Sequence, residues 1–93
     1  MPEDVEKPFE LEITDSIDLH AFSPKDTKKV TVVYLEEARK KGFPIVRIIH
    51  GKGIGVQRDI VKSVLEQTEF VKRFRRGDEL SADSGSTIVE LSD

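Results

Sequence analysis

An α/β fold is predicted: a two-layer sandwich in which a mixed four-stranded sheet carries two helices, in the order β-α-β-α-β-β. Three observations predict it. Short apolar or alternating runs (residues 17–20, 45–50, 71–76 and 87–91) are separated by two stretches with helical spacing. A serine-proline start and a glycine stop bracket the first of those stretches. Three glycines at alternate positions, Gly51, Gly53 and Gly55, break the second run immediately before the second helical stretch.

The elements follow in order. Residues 1–14 form an acidic, partly flexible N-terminal extension, and residues 15–93 form the folded domain. Within the extension Phe9, Leu11 and Ile13 alternate with Glu10, Glu12 and Thr14, the pattern of an extended segment lying against the body. Residues 17–20 make a short strand with Asp18 and His20 on one side and Ile17 and Leu19 on the other. Ser23 caps a helix, Pro24 fits its first turn, and Asp26 stands where a capping-box acid belongs. That helix runs to Lys41 and stops at Gly42, with Thr27, Val30, Thr31, Tyr34, Leu35 and Ala38 on its inner face. The apolar run at 45–50 reads as a buried strand. A second helix spans residues 56–68 and packs through Val56, Ile60, Val64, Val61 and Leu65. Residues 71–76 form a basic strand or strand-plus-turn, Asp83 to Ser86 a turn, and the β-branched run 87–91 a closing strand. The helix between the first two strands makes them parallel and adjacent, and the last two pair antiparallel.

Composition narrows the function classes. The chain has 93 residues and no cysteine, so neither a disulfide framework nor a thiolate metal site is available. No basic-then-apolar leader and no membrane-length apolar run is present, so a soluble cytoplasmic protein without membrane contact is expected. The net charge of −3 hides segregation: residues 1–20 hold seven acids and one base, whereas residues 39–76 hold eleven bases and three acids. Such a basic body beside an acidic segment points to a polyanion partner, nucleic acid (DNA or RNA) first. A solvated basic surface accounts for the same pattern, and the cluster Lys72, Arg73, Arg75 and Arg76 also discourages edge-to-edge strand pairing. Nothing demands more than a monomer.

The candidate chemistry gathers where the first two strands end. Asp18 and His20 close one, and His50, Gly51, Lys52 and Gly53 close the other. A histidine takes a proton from water or a hydroxyl while an aspartate holds its tautomer. Asp18 is equally a ligand for a divalent cation such as Mg or Mn. Gly51, Lys52, Gly53 and Gly55 would cradle a phosphate with backbone amides and one positive charge, and Arg58 would extend that contact. Plain alternatives stand beside each role: Asp18 capping a turn, His20 bridging to a backbone carbonyl, His50 as a half-buried strand end. No nucleophile elbow, Walker pattern or dinucleotide fingerprint occurs.

Ile17-Asp18-Leu19-His20, the motif His50-Gly51-Lys52-Gly53, and the closing Gly85-Ser86-Thr87-Ile88-Val89-Glu90-Leu91 together resemble the Smr (small MutS-related) domain over residues 16–92. The resemblance implies a fold like the C-terminal domain of bacterial translation initiation factor three. It also implies nucleic-acid binding and, in several members, an endonuclease that nicks DNA or cuts RNA. On matching positions it makes Asp18 and His20 the catalytic pair, and His50 with Gly51, Lys52 and Gly53 the phosphate-facing loop. One departure is plain: the signature's glycine after the first histidine is Ala21 here, followed by Phe22. The resemblance therefore leads to the expectation of a weak endonuclease, with a non-catalytic nucleic-acid-binding module as the alternative.

Overall fold

The computed structural model describes residues 13–20, 22–51, 55–77 and 85–92. Phe9 and Leu11, Ala21, Lys52, Gly53 and the turn at Asp83 and Ser84 lie outside them. The elements are β1 (Ser16–Asp18), α1 (Pro24–Lys40), β2 (Ile45–Ile49), α2 (Val56–Gln67), β3 (Val71–Arg76) and β4 (Ser86–Leu91). They form one mixed sheet in the order β1-β2-β4-β3, with β1 parallel to β2 and β4 antiparallel to both its neighbours. This is the expected four-stranded, two-helix architecture.

Strand direction decides where function sits. Because β4 alone is reversed, the C-terminal ends of β1, β2 and β3 and the N-terminal end of β4 share one edge of the sheet. In open α/β sheets that edge carries the ligands.

Helix α1 forms where its caps say it should. The Ser23 hydroxyl accepts the Asp26 N–H at 3.4 Å, and Pro24 occupies the first turn. At the other end Gly42, at φ 82°, donates to the Arg39 carbonyl and Phe43 donates to Ala38, the paired bonds of a Schellman stop. The six residues expected on its inner face are all buried. Helix α2 buries Val61, Val64 and Leu65, but Val56 is 41% exposed and Ile60 only half-covered, so its inner face starts a turn later than the spacing suggested.

Both helices cover one face of the sheet. In β2, Val46 and Ile48 are buried whereas Ile45, Arg47 and Ile49 are not, so the run that reads as wholly buried is covered on one side only. The core joins Leu19, Val46, Ile48, Val89 and Leu91 of the sheet layer to the helix residues. In β3 a register shift between Val71 and Arg73 resets the alternation, so that Val71 and Phe74 both pack inward and Lys72 and Arg73 stay exposed. Arg73 lies beside its register partner Glu90, with Nε 3.1 Å from the carboxylate. Tyr34 reaches from α1 to donate to the Thr14 carbonyl at 2.6 Å, fastening the segment before β1. Burial, reinforced by Asp15, raises the Tyr34 phenol well above its ordinary range, so it remains a donor.

Candidate functional site

The strand β1 ends where the chain turns after Asp18. Leu19 still donates to the Ile49 carbonyl at 2.7 Å, but the His20 N–H turns back to Asp18 Oδ1 at 3.0 Å. This Asx turn ends the strand at Asp18, two residues before the end that the pattern 17–20 predicts. The same Oδ1 lies 2.5 Å from His20 Nδ1. A carboxylate only accepts, so Nδ1 carries the proton and Nε2 holds the lone pair. The His20 side chain is 66% exposed, which leaves Nε2 in reach of solvent and ligand. The hydrogen bond from the His20 ring, followed by that from its backbone, outweighs the opposing effect of burial and holds the Asp18 carboxyl below its ordinary value of 3.8. The turn-capping role and the imidazole-orienting role of Asp18 are thus one geometry.

His50 is arranged differently. Its ring is 4% exposed, with Nε2 2.9 Å from the Thr87 hydroxyl and Nδ1 3.2 Å from the Gly51 carbonyl. The carbonyl requires Nδ1–H, so Nε2 accepts from Thr87. The His50 and Gly51 amides both donate to the Gly85 carbonyl, at 2.8 and 2.9 Å. These contacts fasten the end of β2 to the start of β4. Two expectations are corrected here. His50 continues the inward row of Val46 and Ile48, whereas Asp18 pairs with the outward Ile49. The two imidazoles therefore stand in different surroundings, His50 buried against Thr87 and His20 exposed beside Asp18, although their backbones share the edge. The Gly51 amide, expected to face a phosphate, is engaged by Gly85. What Gly51 contributes is conformation: φ 84° is a left-handed backbone, and an added β-carbon would meet the His20 β-carbon at 3.5 Å, an ordinary contact.

Gln57 is the residue that the sequence reading missed. From the first turn of α2 its amide nitrogen reaches the Phe22 carbonyl at 2.5 Å, the Thr27 hydroxyl at 2.9 Å and the Leu19 carbonyl at 3.2 Å. Thr27 can accept because its own proton goes to the Ser23 carbonyl. One amide therefore clamps both sides of the loop that carries His20. A glutamine near a helix start has no distinctive spacing, so no signal in the sequence marked it.

On the other side of α2, Arg58, Lys62, Arg75 and Arg76 surround a cavity of about 180 Å³ whose remaining walls are Phe74, Ser86, Thr87 and His50. Among the described residues, no carboxylate lines it. The Arg58 guanidinium folds toward Gly55, where an added β-carbon would stand 2.8 Å from it, and Gly55 caps α2 at φ 90° with no side-chain bond.

Among the described residues, no group of three or more histidine, cysteine or acidic side chains is arranged to hold a metal ion. Asp18 uses Oδ1 toward His20, which leaves Oδ2 outside that pairing. No helix of the described residues is long and apolar enough to cross a membrane.

Comparison with known proteins follows this geometry. The model of the Smr domain matches residues 17–92. The chain is 37% identical over 79 residues to Endonuclease MutS2 of Clostridium acetobutylicum, and 40% identical over 78 residues to that of Caldicellulosiruptor saccharolyticus. Those alignments cover 85% and 84% of this chain but 10% of each relative, so it spans about a tenth of their length. The crystal structure of the Smr domain of Thermus thermophilus MutS2 superposes with a TM-score of 0.79 at 28% identity, covering 86% of this chain and all of that one. YdaL, a stand-alone small MutS-related protein from Escherichia coli, superposes with a TM-score of 0.71 at 25% identity, covering 85% of this chain and 65% of that one. This chain belongs to the Smr domain family.

Proposed function

We propose that this domain binds nucleic acid and acts as a weak endonuclease on phosphodiesters, with His20 as general base and Asp18 as the group that orients it. The observation that carries the reading is the pairing of Asp18 Oδ1 with His20 Nδ1 at an exposed strand end. A fixed Nδ1–H tautomer aims an unprotonated Nε2 outward, ready to take a proton from water or from a ribose 2′-hydroxyl. The resulting imidazolium is stabilised by the ionised carboxylate behind it. Gly51 turns the backbone beside His20, Gln57 holds the loop in place, and Lys52 with Gly53 follows in the sequence as the group to meet the phosphate. His50 serves as a positioning residue, pinning the β2 end to β4. A divalent cation of the Mg or Mn type would be held on the protein side by the Asp18 carboxylate and would supply charge neutralisation at the phosphoryl group.

The test is cleavage of supercoiled plasmid and of structured RNA by the purified protein, with and without chelator. His20→Ala is expected to abolish cutting while leaving binding intact, and unchanged cutting would overturn the mechanism. Similarity to proteins named endonucleases supports the reading, as does the group of bases around the cavity between α2 and the ends of β3 and β4. That cluster also favours the second reading, a nucleic-acid-binding module without catalysis. In that case binding weakens steeply with salt and no variant of the dyad changes anything else.

A further inference from the structure

We propose that the cavity between α2 and the paired ends of β3 and β4 seats a second phosphate of the nucleic-acid strand, displaced along the sheet edge from the phosphodiester at His20. The inference rests on the nucleic-acid reading above and adds to it a specific anchoring site. Arg58 and Lys62 on α2 and Arg76 on β3 border one space of about 180 Å³ with no carboxylate among its described walls; Arg75, opposite Ile88, belongs to the other side of its strand. Positive walls of this kind suit an anion, although Arg58 also lies 3.9 Å from Asp59. Phe74 supplies an apolar wall, and the Thr87 hydroxyl, bonded to His50, a polar one. Lys62 and Arg58 are separated by one helical turn and so present their charges on the same side.

Position argues for a polynucleotide over an isolated anion. The strand order β1-β2-β4-β3 puts the His20 end and the Arg76 end at opposite limits of one edge, three strand spacings or about 14 Å apart. A strand laid along that edge meets the dyad with one phosphate and the cavity with another a few nucleotides away. The cavity therefore fixes register, and the dyad performs the reaction.

The experiment uses the full chain. Binding of a fluorescent single-stranded 12-mer is measured by anisotropy across a salt series, for wild type, the Lys62→Ala/Arg76→Ala variant and a Lys40→Ala/Lys41→Ala variant. The last pair removes the same charge at the C-terminal end of α1. The cavity variant is expected to bind about tenfold or more weakly, with a shallower salt dependence, while the control pair stays within about twofold of wild type. Wild-type binding with an unaffected cavity variant overturns this inference alone. Failure of wild type to bind DNA or RNA, with binding to an acidic protein instead, overturns the nucleic-acid reading as well. Oligonucleotides with a 5′-phosphate or a 5′-hydroxyl identify the source of the phosphate. A preference for the phosphorylated end that the variant loses assigns the seat to a terminal monoester, and equal affinity assigns it to an internal diester; either supports the seat.

Discussion

Gly51 stands against His20: a β-carbon built on the glycine would lie 3.5 Å from the histidine's own β-carbon. The ends of two strands far apart in the chain are thus in contact, and the glycine is needed for its backbone more than for its size. At 3.5 Å the added methyl makes ordinary contact, but φ 84° is a left-handed conformation that alanine adopts at a cost of about 1–2 kcal/mol. Gly51→Ala is accordingly expected to lower stability by that amount in chemical denaturation. It also shifts His20, so the cleavage rate falls further than the stability loss accounts for.

His20→Ala removes the proposed base. The rate of phosphodiester cleavage is expected to drop by about 10²-fold or more, with the dissociation constant for a non-cleaved analogue unchanged. Binding and cutting measured on the same preparations check both halves.

Asp18 yields a pH prediction. Its folded-state pKa is depressed by the His20 hydrogen bond, so the stabilisation is fully present above the ordinary carboxylate value of 3.8 and is lost as pH falls through the lower folded value. The side chain is half exposed, which limits the effect to less than about 1 kcal/mol. Melting curves of wild type and Asp18→Asn should therefore differ slightly at neutral pH and converge in acid. A gap that widens below the carboxylate range would refute the assignment.

Gln57→Ala strips the clamp from Leu19, Phe22 and Thr27. Leaving carbonyl oxygens without their donor costs about 1–3 kcal/mol. Amide hydrogen exchange should speed up first in the loop between β1 and α1, with the sheet less affected.

Thr87→Val tests the His50 pin. The valine keeps the shape but removes the hydroxyl that donates to Nε2, at a cost of about 1–3 kcal/mol. Nitrogen chemical shifts of the wild-type imidazole should show Nδ1 protonated and Nε2 unprotonated; the reverse tautomer would dismiss the geometry.

The sequence by itself determined the element order, the caps of α1 and its complete buried face, because local periodicity and capping chemistry are written in neighbouring residues. Ser23, Pro24 and Gly42 act within a turn of where they stand. The spacing of Asp18 and His20 suits their partnership too, though an Asx turn, and not the extended alternation expected, brings them together. Only tertiary structure decided the rest. Whether His50 joins His20 depends on how the ends of β2 and β4 meet, and there His50 is buried against Thr87 while His20 stays exposed. The Gln57 clamp and the basic cavity are made by residues from separate elements, brought together by a reversed β4 and a bulged β3. Burial of apolar surface, which is non-directional and long-range along the chain, sets those distances; hydrogen bonds then select among the arrangements it permits.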